Sequence, residues 1–243
     1  MTRLRVLVWD GCVNVRDLGG LPLEGGGETN FGVLVRADSI GTLTEAGWAA
    51  LQDYGVTTAV DLRGEHELEE PANAQQRPIR IVSIPIAPRS GPGWNWPSML
   101  DAYLGVLEEF RPQFVAAVVA VAAAEPPVVI HCQGGRDRTG LVVALVLRCA
   151  GVDPEAIALD HAISDDSWAP YNPTWFDEAA NAQSSRVPPV PVTWTKPWPG
   201  EPITVVGVIN SELGNAVPLF VMTRLPVAEI SRLPVATLAR LIR

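Results

Sequence analysis

The stretch "VVIHCQGGRDRTGLVV", residues 128–143, decides how the rest of the chain is read. Val128, Val129 and Ile130 form a short β-branched run that suits a buried strand, and Thr139 onward returns to an apolar pattern that suits a helix. Gly134 and Gly135 let the intervening backbone turn its amides inward. Such a strand, loop and helix would set Cys132 at the end of the strand, with Arg138 at the mouth of the helix. Successive amides from Gln133 to Thr139, backed by the helix dipole, form a nest for a tetrahedral oxyanion. The same field stabilises a thiolate, which makes Cys132 a ready nucleophile. Arg138 offers a planar fork for two oxygens at once. Thr139 is a candidate donor to the cysteine sulfur, and His131 a candidate to fix the loop through backbone hydrogen bonds rather than to act as a base.

Working outward, β-rich runs alternate with helical patterns, the signature of an α/β fold with a mostly parallel central sheet flanked by helices. Strands are predicted at 32–37, 56–62, 79–86 and 128–132. Between the first two, Thr44 caps a helix that Gly55 ends. A long helix is predicted over 98–123 with a bend at Pro112, and another after Asp153, with Pro154 at its first position. Past residue 165 the character changes. The predicted organisation is a catalytic domain over 1–168, a proline-rich strap or linker over 169–202, and an extension over 203–243 with strands and a last helix, packed on the same domain.

With 243 residues, 47% of them hydrophobic, the chain can bury one substantial core. A net charge of −9 argues against nucleic acid as a partner and against anionic membranes. Any anionic ligand must be drawn by a local cluster of cations. Three scattered cysteines fit neither a disulfide framework nor a zinc site, and no apolar run is long enough for membrane insertion. These features point to a cytoplasmic protein.

Three segments together resemble a known family. "HCQGGRDRTG" (131–140) is similar to the phosphate-binding loop of the cysteine-dependent protein tyrosine and dual-specificity phosphatases, and its ending resembles a bacterial tyrosine phosphatase family within them. "NVRDLGG" (14–20) resembles that family's amino-terminal signature, and residues 34–67, ending "DLRGEHE", resemble its next segment. The resemblance covers about residues 10–165.

It implies a protein tyrosine phosphatase-like fold and a phosphomonoester hydrolase with a cysteinyl-phosphate intermediate. Cys132, Arg138 and Asp137 would be catalytic, and Gln133, Gly134, Gly135, Arg136 and Thr139 would hold the phosphate. Asp137 is the first candidate for general acid; Asp101, about thirty residues before the cysteine, is the alternative. Arg136 stands where relatives with lysine bind an additional phosphate, and it could equally pair with a surface acid. Arg16 with Asp17, and Asp61 with Arg63, read as a supporting ion-pair scaffold, whereas the acidic run "GEHELEE" (64–70) reads as a solvated helix face. The implied substrate is a phosphotyrosine protein, with dual-specificity or phosphoinositide activity as the alternative and a catalytically weak phosphate-binding module as the rival from another class. No metal or organic cofactor is called for, and the oligomeric state is left open.

Overall fold

The computed structural model describes residues 4–68, 79–87 and 99–171, together with the backbone of three strands between residues 192 and 222. In chain order the elements are β1 (Arg16–Asp17), β2 (Leu34–Ala37), α1 (Glu45–Asp53), β3 (Thr58–Asp61), β4 (Arg80–Ser83), α2 (Met99–Glu109), α3 (Arg111–Ala123), β5 (Val128–His131), α4 (Asp137–Cys149) and α5 (Pro154–Trp168). Strands β6 (Val192–Pro197), β7 (Pro202–Gly207) and β8 (Val221–Met222) follow.

The main sheet runs β1-β2-β5-β3-β4. Its inner pairings, β2 with β5, β5 with β3 and β3 with β4, are parallel, and β1 adds an antiparallel edge. This is the expected mostly parallel α/β sheet. Because side chains alternate across a strand, the sheet sorts its residues into two cores. Leu34, Val60, Val128 and Ile130 face a core shared with α2, α3, α4 and α5. Val35, Ala37, Ala59 and Val129 face a smaller one built with Trp9, Trp48 and Leu51. β5, paired on both sides and covered on both faces, is buried at all four residues. Its carboxyl end is the point from which the 132–138 loop departs.

Local sequence accounts for the helix boundaries. Thr44 Oγ1 accepts the Gly47 amide at the start of α1, and Gly55, at φ +90°, lets the chain leave it. Asp153 accepts the Glu155 and Ala156 amides ahead of α5, where Pro154 has no amide to lose. The single bent helix predicted over 98–123 is two helices, interrupted at Phe110. Pro112 lies in the first turn of α3, where its missing N–H removes no helical bond, so the chain breaks just before it instead of bending at it. The strands are shorter than predicted by one to three residues at their ends.

In the proline-rich stretch, residues 192–197 form β6, paired antiparallel with β7 from Val192 opposite Gly207 to Pro197 opposite Pro202. The last predicted helix and residues 172–191 and 198–201 of the strap lie outside the described residues. No helix among the described residues is long and apolar enough to cross a membrane.

Candidate active site

The loop after β5 is held by its carbonyls. Gln133 O accepts the Ser39 amide at 3.0 Å. Gly134 O accepts Asn14 Nδ2 at 3.0 Å and Trp168 Nε1 at 2.8 Å. Gly135 O accepts Arg36 Nη2 at 2.7 Å, and Arg136 O accepts the same nitrogen at 3.3 Å and the Gly140 amide at 2.8 Å. In a trans peptide the N–H that follows a carbonyl points the opposite way. Four carbonyls drawn outward therefore turn the amides of residues 134–137 inward. No side chain among the described residues caps the start of α4, which leaves that end of the dipole to a ligand. Gly135 makes the tight approach possible: it sits at φ +64°, and a β-carbon there would come within 2.4 Å of Ala37 O. Cys132 lies at the base of this loop, 2% exposed.

Beneath the loop is an ion cluster centred on Asp160 of α5. Its carboxylate receives Arg16 Nε at 3.0 Å and Arg36 Nη1 at 2.8 Å, and Arg5 joins them. Ser164 Oγ accepts from Arg16 at 3.1 Å and from Arg36 at 3.2 Å. Arg16, Arg36 and Asp160 are each 1% exposed. Burial alone would raise the Asp160 carboxyl, but the arginines outweigh it and hold it far below the usual carboxylate range. Burial and the neighbouring Arg36 bring Arg16 down to about 10.

The expected scaffold is thus half corrected. Arg16 pairs with Asp160 rather than Asp17, because Arg16 Nε and Nη2 meet α5 while the Asp17 carboxylate is occupied by the Gly19 and Gly32 amides and the Tyr54 hydroxyl. Asp61 and Arg63 do pair, at 2.7 Å, and Arg63 also donates to Ser39 Oγ. Burial raises the Asp61 carboxyl, but hydrogen bonds from Arg63 outweigh it, and its pKa lies below the usual value. His131 stands 3.8 Å from Asp61 Oδ2, and complete burial takes its pKa down to about 4, so the ring is neutral near pH 7. Neither ring nitrogen makes a hydrogen bond among the described residues.

Arg138 is placed by a residue that sequence reasoning assigned to solvent. Glu67, within the acidic run, receives Arg138 Nη1 and Nη2 on its two oxygens, each at 2.6 Å. Arg138 Nη1 also donates to Ile86 O at 3.2 Å. The run is a 3-10 turn over Glu65–Glu67 rather than a solvated helix face, because the Gly64 amide and Arg138 both bind the Glu67 carboxylate. Burial raises that carboxyl, but the Arg138 and Gly64 bonds more than offset it. Among the described residues those contacts use the end of the guanidinium and leave the Nε–H and the outer Nη2–H, which share one edge. That edge is the fork available to two phosphoryl oxygens.

Asp137, half-buried in the first turn of α4, accepts from Tyr103 of α2 at Oδ1. Asp101 lies in the first turn of α2. Arg136 pairs with Asp165 of α5 at 2.6 Å, an acid that is 7% exposed rather than on the surface. Thr139 is wholly buried, and its hydroxyl makes no hydrogen bond among the described residues, so the predicted bond to the cysteine sulfur is not formed. His161 packs on α4, where a β-carbon at Gly140 would lie 2.5 Å from its Nδ1.

The chain is similar to known proteins. A model described as the tyrosine phosphatase family matches residues 7–214. The chain is 31% identical over 183 residues to a tyrosine-phosphatase relative from Cupriavidus necator, covering 69% of this chain and 66% of that one. It is 28% identical over 205 residues to the triple specificity protein phosphatase PtpB of Mycobacterium tuberculosis, covering 68% and 72%. The chain thus spans about two thirds of the length of these relatives, at 66% and 72%. Among solved structures, P. aeruginosa TpbA in complex with phosphotyrosine aligns at a TM-score of 0.30 and 23% identity, over 53% of this chain and 67% of that chain.

Proposed function

This chain belongs to the tyrosine phosphatase family, and from that premise we propose that it hydrolyses phosphomonoesters through a cysteinyl-phosphate, with phosphotyrosine proteins as the principal substrates. The observation that carries the reading is the loop itself: four carbonyls pinned outward, Cys132 buried at the base, and one edge of Arg138 left for a ligand.

In this mechanism the phosphate enters the nest, where inward amides and the Nε and Nη2 edge of Arg138 hold its equatorial oxygens. Cys132 Sγ attacks phosphorus in line. The P–S bond forms, the P–O bond breaks, and Asp137 gives its proton to the departing oxygen. Water then attacks phosphorus and loses a proton to Asp137 while the thiolate departs. The amides and Arg138 act chiefly on charge that develops in the transition state. Asp101 is the alternative acid. Residues 1–168 would carry the whole of this chemistry, and free thiols at Cys12, Cys132 and Cys149 support a reducing, cytoplasmic setting.

Similarity to a triple specificity phosphatase supports a second reading in which phosphoinositides or phosphoserine are also substrates. Against it stands the Asp165 carboxylate, which occupies the Arg136 side chain that would read a second phosphate. The test is turnover of p-nitrophenyl phosphate and of a panel of phosphotyrosine, phosphoserine and phosphoinositide substrates. The expected result is turnover favouring phosphotyrosine, abolished by Cys132→Ser and by vanadate. Retained vanadate binding without turnover would instead make the chain a phosphate-binding module.

A further inference from the structure

Asp137 has an arginine on either side in sequence, but what gives its carboxylate a direction comes from α2. Tyr103 is 5% exposed, and its hydroxyl meets Asp137 Oδ1. Its ring stands edge-on to that of His161, with centroids 6.1 Å apart and planes at 71°, and it belongs to the larger core with Val106 and Leu107. The ring is clamped by packing on one side and by α5 on another, so the hydroxyl has little freedom to follow a moving partner.

We propose that Tyr103 is a positioning residue for Asp137: by donating to Oδ1 it fixes the carboxyl plane and leaves Oδ2 to carry the proton to and from the reacting oxygens. The inference rests on Asp137 being the general acid. Oδ2 loses its proton to the departing oxygen in the first step and takes one from the attacking water in the second; Tyr103 keeps its own throughout. Burial, with the Asp137 charge beside it, raises the phenol well above its ordinary value, so it remains a donor through the working pH range.

The other charged groups around Asp137 are Arg136 and Arg138 from the loop and helix start, and His161 and Asp165 from α5. Burial takes His161 down to about 3, leaving it neutral. Burial raises the Asp165 carboxyl, which pairs with Arg136.

The experiment compares kcat/KM for 2,4-dinitrophenyl phosphate, which needs no acid, and phenyl phosphate, which does, in the full chain, Tyr103→Phe, Asp137→Asn and the double variant. Tyr103→Phe is expected to lose about tenfold on phenyl phosphate and less than about twofold on the dinitrophenyl ester, with vanadate affinity unchanged as the check on folding. The double variant should be no slower than Asp137→Asn alone. An equal loss on both esters, or losses that multiply in the double variant, would show a merely structural tyrosine while leaving the acid assignment intact. If Asp137→Asn itself shows no preference between the esters, the acid assignment fails and this inference falls with it.

Discussion

Two ion clusters support the same loop, and they are built on opposite terms. At Asp160 three arginines converge on one carboxylate, and Arg16, Arg36 and Asp160 are almost wholly withdrawn from water. At the rim one carboxylate meets one guanidinium, and Arg138 and Glu67 keep 16% of each side chain exposed. The first cluster has surplus, mostly buried cation, and Arg36 directs Nη2 to loop carbonyls and Ser164. The second is charge-balanced and leaves one edge unused. Burial with excess charge makes a support that must be whole to work; a half-exposed neutral pair makes a holder that can accept a further anion. Arg16 and Arg36 shape the site, and Arg138 is the arginine that meets the phosphate.

The largest effect should come from the buried hub. Asp160→Asn leaves Arg16 and Arg36 without their counter-charge, and urea unfolding should show a loss of about 3–5 kcal/mol. Phosphatase activity should fall with it, because Arg36 no longer holds the Gly135 and Arg136 carbonyls. If stability falls by less than 1 kcal/mol, the two clusters are energetically alike and the comparison breaks.

Glu67→Gln is the matching change at the rim. It should cost at most about 1 kcal/mol in the same unfolding measurement, since the pair is partly solvated. It should nevertheless lower kcat/KM about ten- to hundredfold, because Arg138 loses the partner that aims its open edge. A stability loss as large as that of the hub variant would erase the distinction.

Acid should separate the hub from a buried neutral side chain, His131, by another route. His131 is neutral in the folded state, with a pKa near 4, while in the unfolded chain it binds a proton from about 6.5 downward. Unfolding therefore becomes easier as pH falls through that window, by about 2 kcal/mol at pH 5 from this residue. Asp160, whose carboxyl is held far below its ordinary value, contributes stability present above about pH 4 and lost only below it. Urea midpoints between pH 7 and 5 should thus fall in the parent chain and stay flatter in His131→Asn. A parallel fall in both would remove His131 as the cause. The smallest effect is expected from Trp168→Phe, which removes one of two donors on Gly134 O and leaves Asn14: about 1 kcal/mol or less, and a few-fold in kcat/KM.

The sequence made the loop legible because its cues are local. A β-branched run, two glycines and an apolar helix start lie within sixteen residues, and the caps at Thr44 and Asp153 lie next to the helices they open. What supports the loop was not legible. Arg16 finds Asp160 across 144 positions, Arg36 finds it across 124, and Arg138 finds Glu67 across 71. Asp160 lies in an ordinary helical stretch, and Glu67 stands among acids that look solvated. Strand alternation was the available signal for Arg36: it shares a face with Leu34, so a guanidinium had to enter the core and required an acid there. Tyr103 carried no signal at all beyond helical spacing.

The neighbouring glycines of the loop differ in how freely they can drift. At Gly134 a β-carbon would rest in ordinary contact with the Trp168 ring, 3.8 Å away, so an alanine fits without displacing anything. At Gly135 the same atom would force back Ala37 O and the Asp38 amide, and with them the strand end that carries Ser39 to Gln133. Random mutagenesis under selection for activity should therefore find position 134 permissive to small residues and position 135 closed to every one of them.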